Sequence, residues 1–170
     1  MKAMMISIRK PFTDMIFRLD DYYNDYDKTN EWRKKPLPIG HYFVYESKYK
    51  GGLGKVIGEF DIVENHEFPI GSISFEDCMQ SDLVKQGVVA YGFLKEYANG
   101  AEFIYANIIK NAKRYDEPKE LWEFSYPCTG KKCSKCQYEV REVLPFGEIG
   151  VCCGRYNITR PPQSWCNVEV

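Results

Sequence analysis

The pattern of hydrophobic and polar positions predicts that the chain begins with a strand and a helix. Apolar residues fill most of positions 2–8, as they do in a buried strand. After Pro11, which suits the first turn of a helix, apolar side chains recur at spacings of three and four as far as Tyr23. Charged residues occupy the opposite face, so this segment is predicted to be an amphipathic helix.

Runs rich in aromatic and β-branched residues predict the remaining strands. The predicted strands are 28–35, 39–47, 55–63, 101–112 and 165–168. Helical patterns cover 74–86 and 88–97, and a single helical turn is predicted at 118–124. This order lacks the regular alternation of strand and helix that a doubly wound sheet requires. It predicts an α+β fold, in which helices flank a small, mostly antiparallel β-barrel.

The second predicted strand carries an unusual concentration of charge. Its sequence from Lys28 to Lys35 is KTNEWRKK, and alternation along a strand places Glu31 and Arg33 on one face. An acid beside an arginine can form a surface ion pair or can hold a ligand, and both interpretations stay open at this point. Trp32 points to the other face and is interpreted as a core residue.

Composition narrows the possible classes of function. The 170 residues are 44% hydrophobic and 28% charged, and no run of about 20 apolar residues predicts a membrane-spanning helix. The N-terminal apolar run is too short for a signal peptide, so we expect a cytoplasmic, reducing environment and no membrane partner. Because the net charge is −1, any binding of nucleic acid needs a local basic patch. The candidates for that patch are Arg9, Lys10, Lys34 and Lys35.

Six of the seven cysteines lie in the last quarter of the chain. In a reducing compartment, such clustering favours a metal site over disulfides. A C-x2-C knuckle followed by a distant second pair is typical of tetrahedral Zn²⁺. Four of the following cysteines are the predicted ligands of a structural zinc: Cys128, Cys133, Cys136, Cys152 and Cys153. The alternative is a loose insertion with free thiols.

Taken in order, these features resemble the ASCH domains of the PUA-like superfamily. Those domains open with a strand, a helix that begins soon after a proline, and the signature Gly-x-Lys-x-x-Glu-x-Arg. Lys28–Arg33 match the last six positions, and Tyr26 replaces the glycine. The strand entry Pro38–Gly40, the glycine-flanked 54–60 and the ending 161–165 are also similar to bacterial and prophage members.

The resemblance implies a PUA-like domain over 1–124 and 159–170, with a cysteine-rich insertion at 125–158. It also implies a cleft between barrel and helix that binds RNA or a modified nucleotide, and it leaves a regulatory role open. The expected ligand-binding residues are Lys28, Glu31, Arg33, Arg9 and Lys10.

The same resemblance leaves an enzyme as the alternative function. Some members suggest ribonuclease action, and one branch deacetylates 4-acetylcytidine with the Lys and a Thr of the signature and a Glu downstream. Here Lys28 matches that lysine, whereas Glu31 occupies the threonine position. A hydrolase would use Lys28 and Glu31 as catalytic residues. A zinc-stabilised protein-interaction module is a second alternative, and the sequence leaves the oligomeric state open.

Overall fold

Eight strands, four α-helices and two 3-10 turns make up the regular structure of the computed structural model, which describes residues 3–17, 28–127, 141–144, 147–150 and 157–169. The strands are β1 (Ala3–Ile8), β2 (Asn30–Arg33), β3 (Gly40–Glu46), β4 (Val56–Phe68), β5 (Ile104–Lys119), β6 (Arg141–Leu144), β7 (Gly147–Gly150) and β8 (Trp165–Val168). The helices are α1 (Phe12–Phe17), α2 (Phe75–Gln80), α3 (Asp82–Gly87) and α4 (Tyr91–Ala98).

The central element is a six-stranded sheet in the order β2-β5-β4-β3-β1-β8. Strands β1 and β3 pair in parallel, and the other neighbours pair antiparallel. The α+β class and the mostly antiparallel pairing are therefore confirmed. The closed barrel is wrong, because β2 and β8 are edge strands that do not pair with each other within the described residues. At the β2 edge, α3 packs instead, and the Asn30 amide donates to the carbonyl of Leu83.

Strands β4 and β5 are longer than the sequence pattern predicted. They pair along most of their lengths, from Phe68 opposite Ile104 to Val56 opposite Lys119. Pro118 therefore belongs to β5, and the predicted helical turn begins only at Leu121 as a 3-10 turn. Long-range pairing overrides the local preference here, because the partner strand supplies hydrogen bonds that a short isolated turn lacks.

The helices lie close to their predicted positions, with one division. Ser81 adopts an extended backbone (φ −61°, ψ 126°), which splits the predicted 74–86 helix into α2 and α3. Ser74 caps α2, because its side chain accepts a hydrogen bond from the backbone N–H of Asp77. The first helix is present at Phe12–Phe17, and the remainder of its predicted length falls outside the described residues.

The buried side chains form three clusters around the sheet. One lies beneath α1, a second packs between the sheet and α2–α4, and a third joins β1 and β3 to Phe124 and Ile158. Trp32 belongs to the second cluster, where its ring meets the ring of Phe68 at 5.3 Å between centroids. Its interpretation as a core residue is confirmed. None of the helices within the described ranges is long and apolar enough to cross a membrane.

The cysteine-rich part of the chain is described only by its paired backbone segments. Strands β6 and β7 form a separate antiparallel pair, and Ser125 bridges both Asn157 and Glu169. The five predicted zinc ligands, Cys128, Cys133, Cys136, Cys152 and Cys153, lie outside the described residues. The zinc site and the boundaries of the insertion therefore stay predictions. Of the two remaining cysteines, Cys78 is buried in α2 and Cys166 is partly buried in β8.

Candidate ligand-binding pocket

A cavity of about 370 Å³ opens where β1 ends, between β2, α1 and α4. Its polar side comes from Glu31 and Arg33 of β2 and from Lys28, which lies two residues before the strand begins. The other walls are largely apolar and aromatic. Phe12 of α1 and the α4 residues Phe93, Leu94 and Tyr97 line them.

The alternating directions of side chains in β2 bring Glu31 and Arg33 together. One carboxylate oxygen of Glu31 lies 3.0 Å from an Arg33 Nη2, and the other lies 3.6 Å from the Lys28 Nζ. The same Arg33 Nη2 donates to the backbone carbonyl of Ser7 at 3.0 Å. Lys28 and Glu31 are only 3% and 8% exposed, and the Arg33 side chain is 18% exposed, so this is a largely buried cation–carboxylate–cation arrangement and not a surface ion pair.

Burial lowers the pKa of Lys28 in the folded protein below its usual 10.5, although the charge of Glu31 opposes the shift. The ammonium also donates to the carbonyl of Gly87 at 3.0 Å and lies 5.3 Å from the centre of the Phe12 ring. When all three groups are ionised, the Lys28–Glu31–Arg33 arrangement carries one more positive than negative charge. Such an excess is costly in a buried site, and an anionic ligand would relieve the cost.

One donor in this arrangement is left without a partner. The Nε of Arg33 is buried and makes no hydrogen bond to the described residues. Buried polar groups are nearly always hydrogen-bonded, and an unpaired one costs about 1–3 kcal/mol. Arg33 therefore has hydrogen-bonding capacity that the described protein does not use.

The other predicted basic residues are distributed around the pocket. Arg9 lines it, whereas Lys10 does not and instead pairs with Asp14 at 3.5 Å. The Lys34 ammonium lies 5.7 Å from the centre of the Tyr97 ring, next to the pocket wall. Neither Arg9 nor Lys34 forms an ion pair with another described residue.

Arg9 connects the aromatic side chains at the mouth of the pocket. Its guanidinium carbon lies 5.7 Å from the ring centres of Phe12 and Phe93, and 5.6 Å from that of Tyr49. The Phe12 and Phe93 rings meet edge to face at 6.1 Å. Interleaved aromatic and cationic groups of this kind are suited to flat, anionic ligands.

Sequence reasoning missed the aromatic walls and one positioning residue. Phe93 falls within the predicted helix 88–97, whose pattern does not indicate that this side chain is 38% exposed and lines the cavity. Asn107, the one amide side chain within the largely apolar run 103–109 of the predicted strand 101–112, is buried and donates to the backbone carbonyl of Glu31 at 2.7 Å. Its oxygen accepts from the backbone N–H of Leu37. That isolated amide in an apolar run was the signal that could have identified it.

Two other cavities are larger but do not bring charged side chains together in the same way. One, of about 470 Å³, is lined by Lys110, Arg114 and Lys28, among other residues. Another, of about 640 Å³, lies beside Trp122 and Lys48. Neither brings a buried carboxylate between two cations among the described residues, so the pocket at β2 is the stronger candidate.

Comparison with known proteins supports the fold. No family model matches the sequence, and no curated protein matches it significantly. Among solved structures, the ASCH protein from Zymomonas mobilis is similar at 19% identity with a TM-score of 0.53, over 71% of this chain and 74% of that one.

Two variants of the Zymomonas mobilis protein are similar in the same way. Its Tyr-to-Phe variant matches at 17% identity with a TM-score of 0.53, over 71% of this chain and 77% of that one. Its Ser-to-Ala variant matches at 18% identity with a TM-score of 0.52, over 71% and 75%. Likeness at these identities concerns the fold, and it confirms the prediction made from the sequence motifs: the chain has an ASCH-type fold.

Proposed function

We propose that this protein binds RNA or a modified nucleotide in the pocket at β2, as a PUA-like module. The observation that carries the proposal is the buried Lys28–Glu31–Arg33 arrangement beneath aromatic walls. Ligand pockets span about 300–1,000 Å³, so a cavity of about 370 Å³ fits a ligand of nucleotide size better than a large metabolite. The ASCH-type fold agrees with this choice of ligand class.

Each part of the pocket suits one part of a nucleotide. Arg33 can bind a phosphate through its planar fork, and Lys28 can act on it as a point charge. Glu31 can accept a hydrogen bond from an exocyclic amine of a base or from a sugar hydroxyl. Phe12, Phe93 and Tyr97 offer ring faces and edges against which a base can pack.

A quantitative binding measurement tests the proposal. Fluorescence anisotropy with a labelled, mixed-sequence, single-stranded RNA should show saturable binding that weakens as salt is raised. Arg33→Ala should reduce the affinity at least tenfold, because it removes a charge-assisted contact. Lys113→Ala is the charge-matched control, since Lys113 lies on β5 opposite Glu59 and does not line the pocket. Equal affinities of wild type and Arg33→Ala would reject the proposal.

A hydrolase is the second candidate, and the environment of Lys28 favours it. A buried lysine with a lowered pKa can lose its proton and act as a base or nucleophile, and Glu31 lies 3.6 Å away to exchange the proton. Incubation with RNA and with an N-acylated cytidine, followed by chromatography of the products, tests for turnover. A binder would retain weakened affinity in Glu31→Gln and show no products in the wild type. An enzyme would lose turnover in Glu31→Gln while still binding.

A further inference from the structure

We propose that Tyr49, on the loop between β3 and β4, is a stacking platform for a second nucleotide beside the pocket. The pocket would then hold one nucleotide of a single-stranded RNA, and the base of its neighbour would lie on the Tyr49 ring. This inference rests on the proposed RNA-binding function and adds the form of the ligand, a strand in place of a free mononucleotide.

The position of Tyr49 relative to the pocket is the first argument. Its ring lies on the same guanidinium group of Arg9 that contacts Phe12 and Phe93 of the pocket wall. The side chain of Arg9 alone therefore lies between Tyr49 and the pocket-wall rings of Phe12 and Phe93. An RNA strand that leaves the pocket over Arg9 would reach the Tyr49 ring next. Arg9 itself could contact the phosphate that connects the two nucleotides.

The exposure of Tyr49 is the second argument. This side chain is 55% exposed, and Leu53 on the same loop is 49% exposed. Single exposed aromatic residues are common on proteins and by themselves need no explanation. Tyr49 differs because it is exposed at the mouth of a pocket and has cations beside it.

The loop is held in place, so that Tyr49 is presented in a defined position. Glu46 is fully buried at its base, and its carboxylate accepts a hydrogen bond from the backbone N–H of Leu53 at 2.7 Å. Backbone bonds from Gly54 to the carbonyl of Glu46 and from Ser47 to the carbonyl of Ile8 close the loop and fix it to β1. Gly51 has φ of 83°, a conformation that favours glycine and shapes the turn after Tyr49.

A base can displace the Lys50 ammonium that now lies over the Tyr49 ring. The ammonium of Lys50 lies 5.6 Å from the centre of the Tyr49 ring. Stacking of a base on an aromatic side chain is stronger than an exposed cation–π contact, so a base would displace this ammonium. The freed ammonium of Lys50, together with exposed Lys48, would then be available to phosphates.

The test compares a mononucleotide mixture with a short single-stranded RNA on the same proteins. For the RNA, Tyr49→Ala should weaken binding about 5- to 150-fold, the range measured for loss of one stacked base. For the mononucleotides, titrated by calorimetry, the same variant should bind as the wild type does. Tyr49→Trp should retain the affinity for RNA, because it keeps a ring. Tyr126→Ala is the matched control, because Tyr126 is also exposed but lies away from the pocket. It follows Ser125, which pairs with Glu169 beside the Ala3 end of β1, whereas the pocket is at the Ile8 end of that strand.

The possible results separate the two proposals. If the wild type binds mononucleotides and RNA but Tyr49→Ala binds RNA equally well, the platform is rejected and the proposed function stands. If Tyr49→Ala weakens both ligands equally, the loop shapes the pocket, and the platform is again rejected. If the wild type binds neither ligand, both proposals fail. Circular dichroism of each variant establishes that it is folded.

Discussion

The hydroxyl of Thr13 donates a 2.7 Å hydrogen bond to the carboxylate of Glu46, and both side chains are fully buried. The second carboxylate oxygen of Glu46 accepts from the backbone of Leu53. Glu46 thereby joins α1, which supplies Phe12 to the pocket, to the loop that carries Tyr49. No described cation forms an ion pair with this carboxylate, so hydrogen bonds stabilise it.

Replacing Glu46 by Gln should destabilise the protein. A glutamine can satisfy both partners only with its oxygen toward the Leu53 N–H and its NH2 toward Thr13, whose hydroxyl must then turn from donor to acceptor. Both hydrogen bonds also lose the assistance of the carboxylate charge. We expect the free energy of unfolding to fall by about 1–3 kcal/mol in urea denaturation. Glu102→Gln, on an exposed side chain, should change it by less than about 0.5 kcal/mol. Equal stability of the two variants would show that Glu46 is not the anchor of this loop.

A pair of glycines gives a test of the packing between α3 and β2. A Cβ added at Gly87 would lie 2.2 Å from the Trp32 Nε1 and 2.7 Å from the Asn30 Oδ1. Gly87→Ala should therefore lower the free energy of unfolding by about 1–3 kcal/mol and displace the carbonyl that accepts from Lys28. Gly92, within α4, has open space around it, so Gly92→Ala should be neutral or stabilise by up to about 1 kcal/mol. Thermal unfolding of both variants measures the contrast, and a tolerated Gly87→Ala would contradict the close packing.

The lowered pKa of Lys28 makes stability depend on pH in a defined direction. Between the lowered folded value and 10.5, the unfolded chain keeps the Lys28 proton and the folded protein does not. Stability therefore rises with pH across this window, while below it the amine is charged in both states and the burial cost is constant. Lys28→Met abolishes the effect. The difference in unfolding free energy, wild type minus variant, should shift in favour of the wild type as the pH rises from the lowered folded pKa of Lys28 to 10.5.

Measuring this difference cancels titrations that both proteins share. The pKa values of Tyr42 and Tyr115 are raised by burial, and their effect on stability is the same in wild type and variant. A difference that stays flat with pH would show that folded Lys28 has an ordinary pKa.

Metal removal tests the prediction for the cysteine-rich segment. Purified protein should contain one zinc per chain by elemental analysis, and Cys133→Ser with Cys136→Ser should abolish it, because a knuckle supplies two of four ligands. Chelation should destabilise this segment, since metal binding contributes directly to the folding of small sites. Cys78→Ser, at a buried thiol in α2, is the control and should leave the zinc content unchanged. Protein without zinc would favour the free-thiol alternative.

The sequence by itself determined that Glu31 and Arg33 lie together in the pocket. Because side chains alternate in a strand, Glu31 and Arg33 had to share a face once 28–35 was read as a strand, and their atoms lie 3.0 Å apart. The start of the helical segment near residue 74 and the positions of β1, β3 and α4 also followed from short patterns of residue type. These features depend on neighbours in the chain, so their signals are local.

The tertiary structure alone decided which side chains surround the Glu31–Arg33 pair. Phe12 and Phe93 are distant in sequence, and no pattern within either helix indicates that their rings meet at 6.1 Å. The open edge of the sheet, the full length of β5 and the role of Asn107 likewise depend on partners elsewhere in the chain. Periodicity shows which side of an element is buried, but the element that covers it is selected by packing of the whole chain.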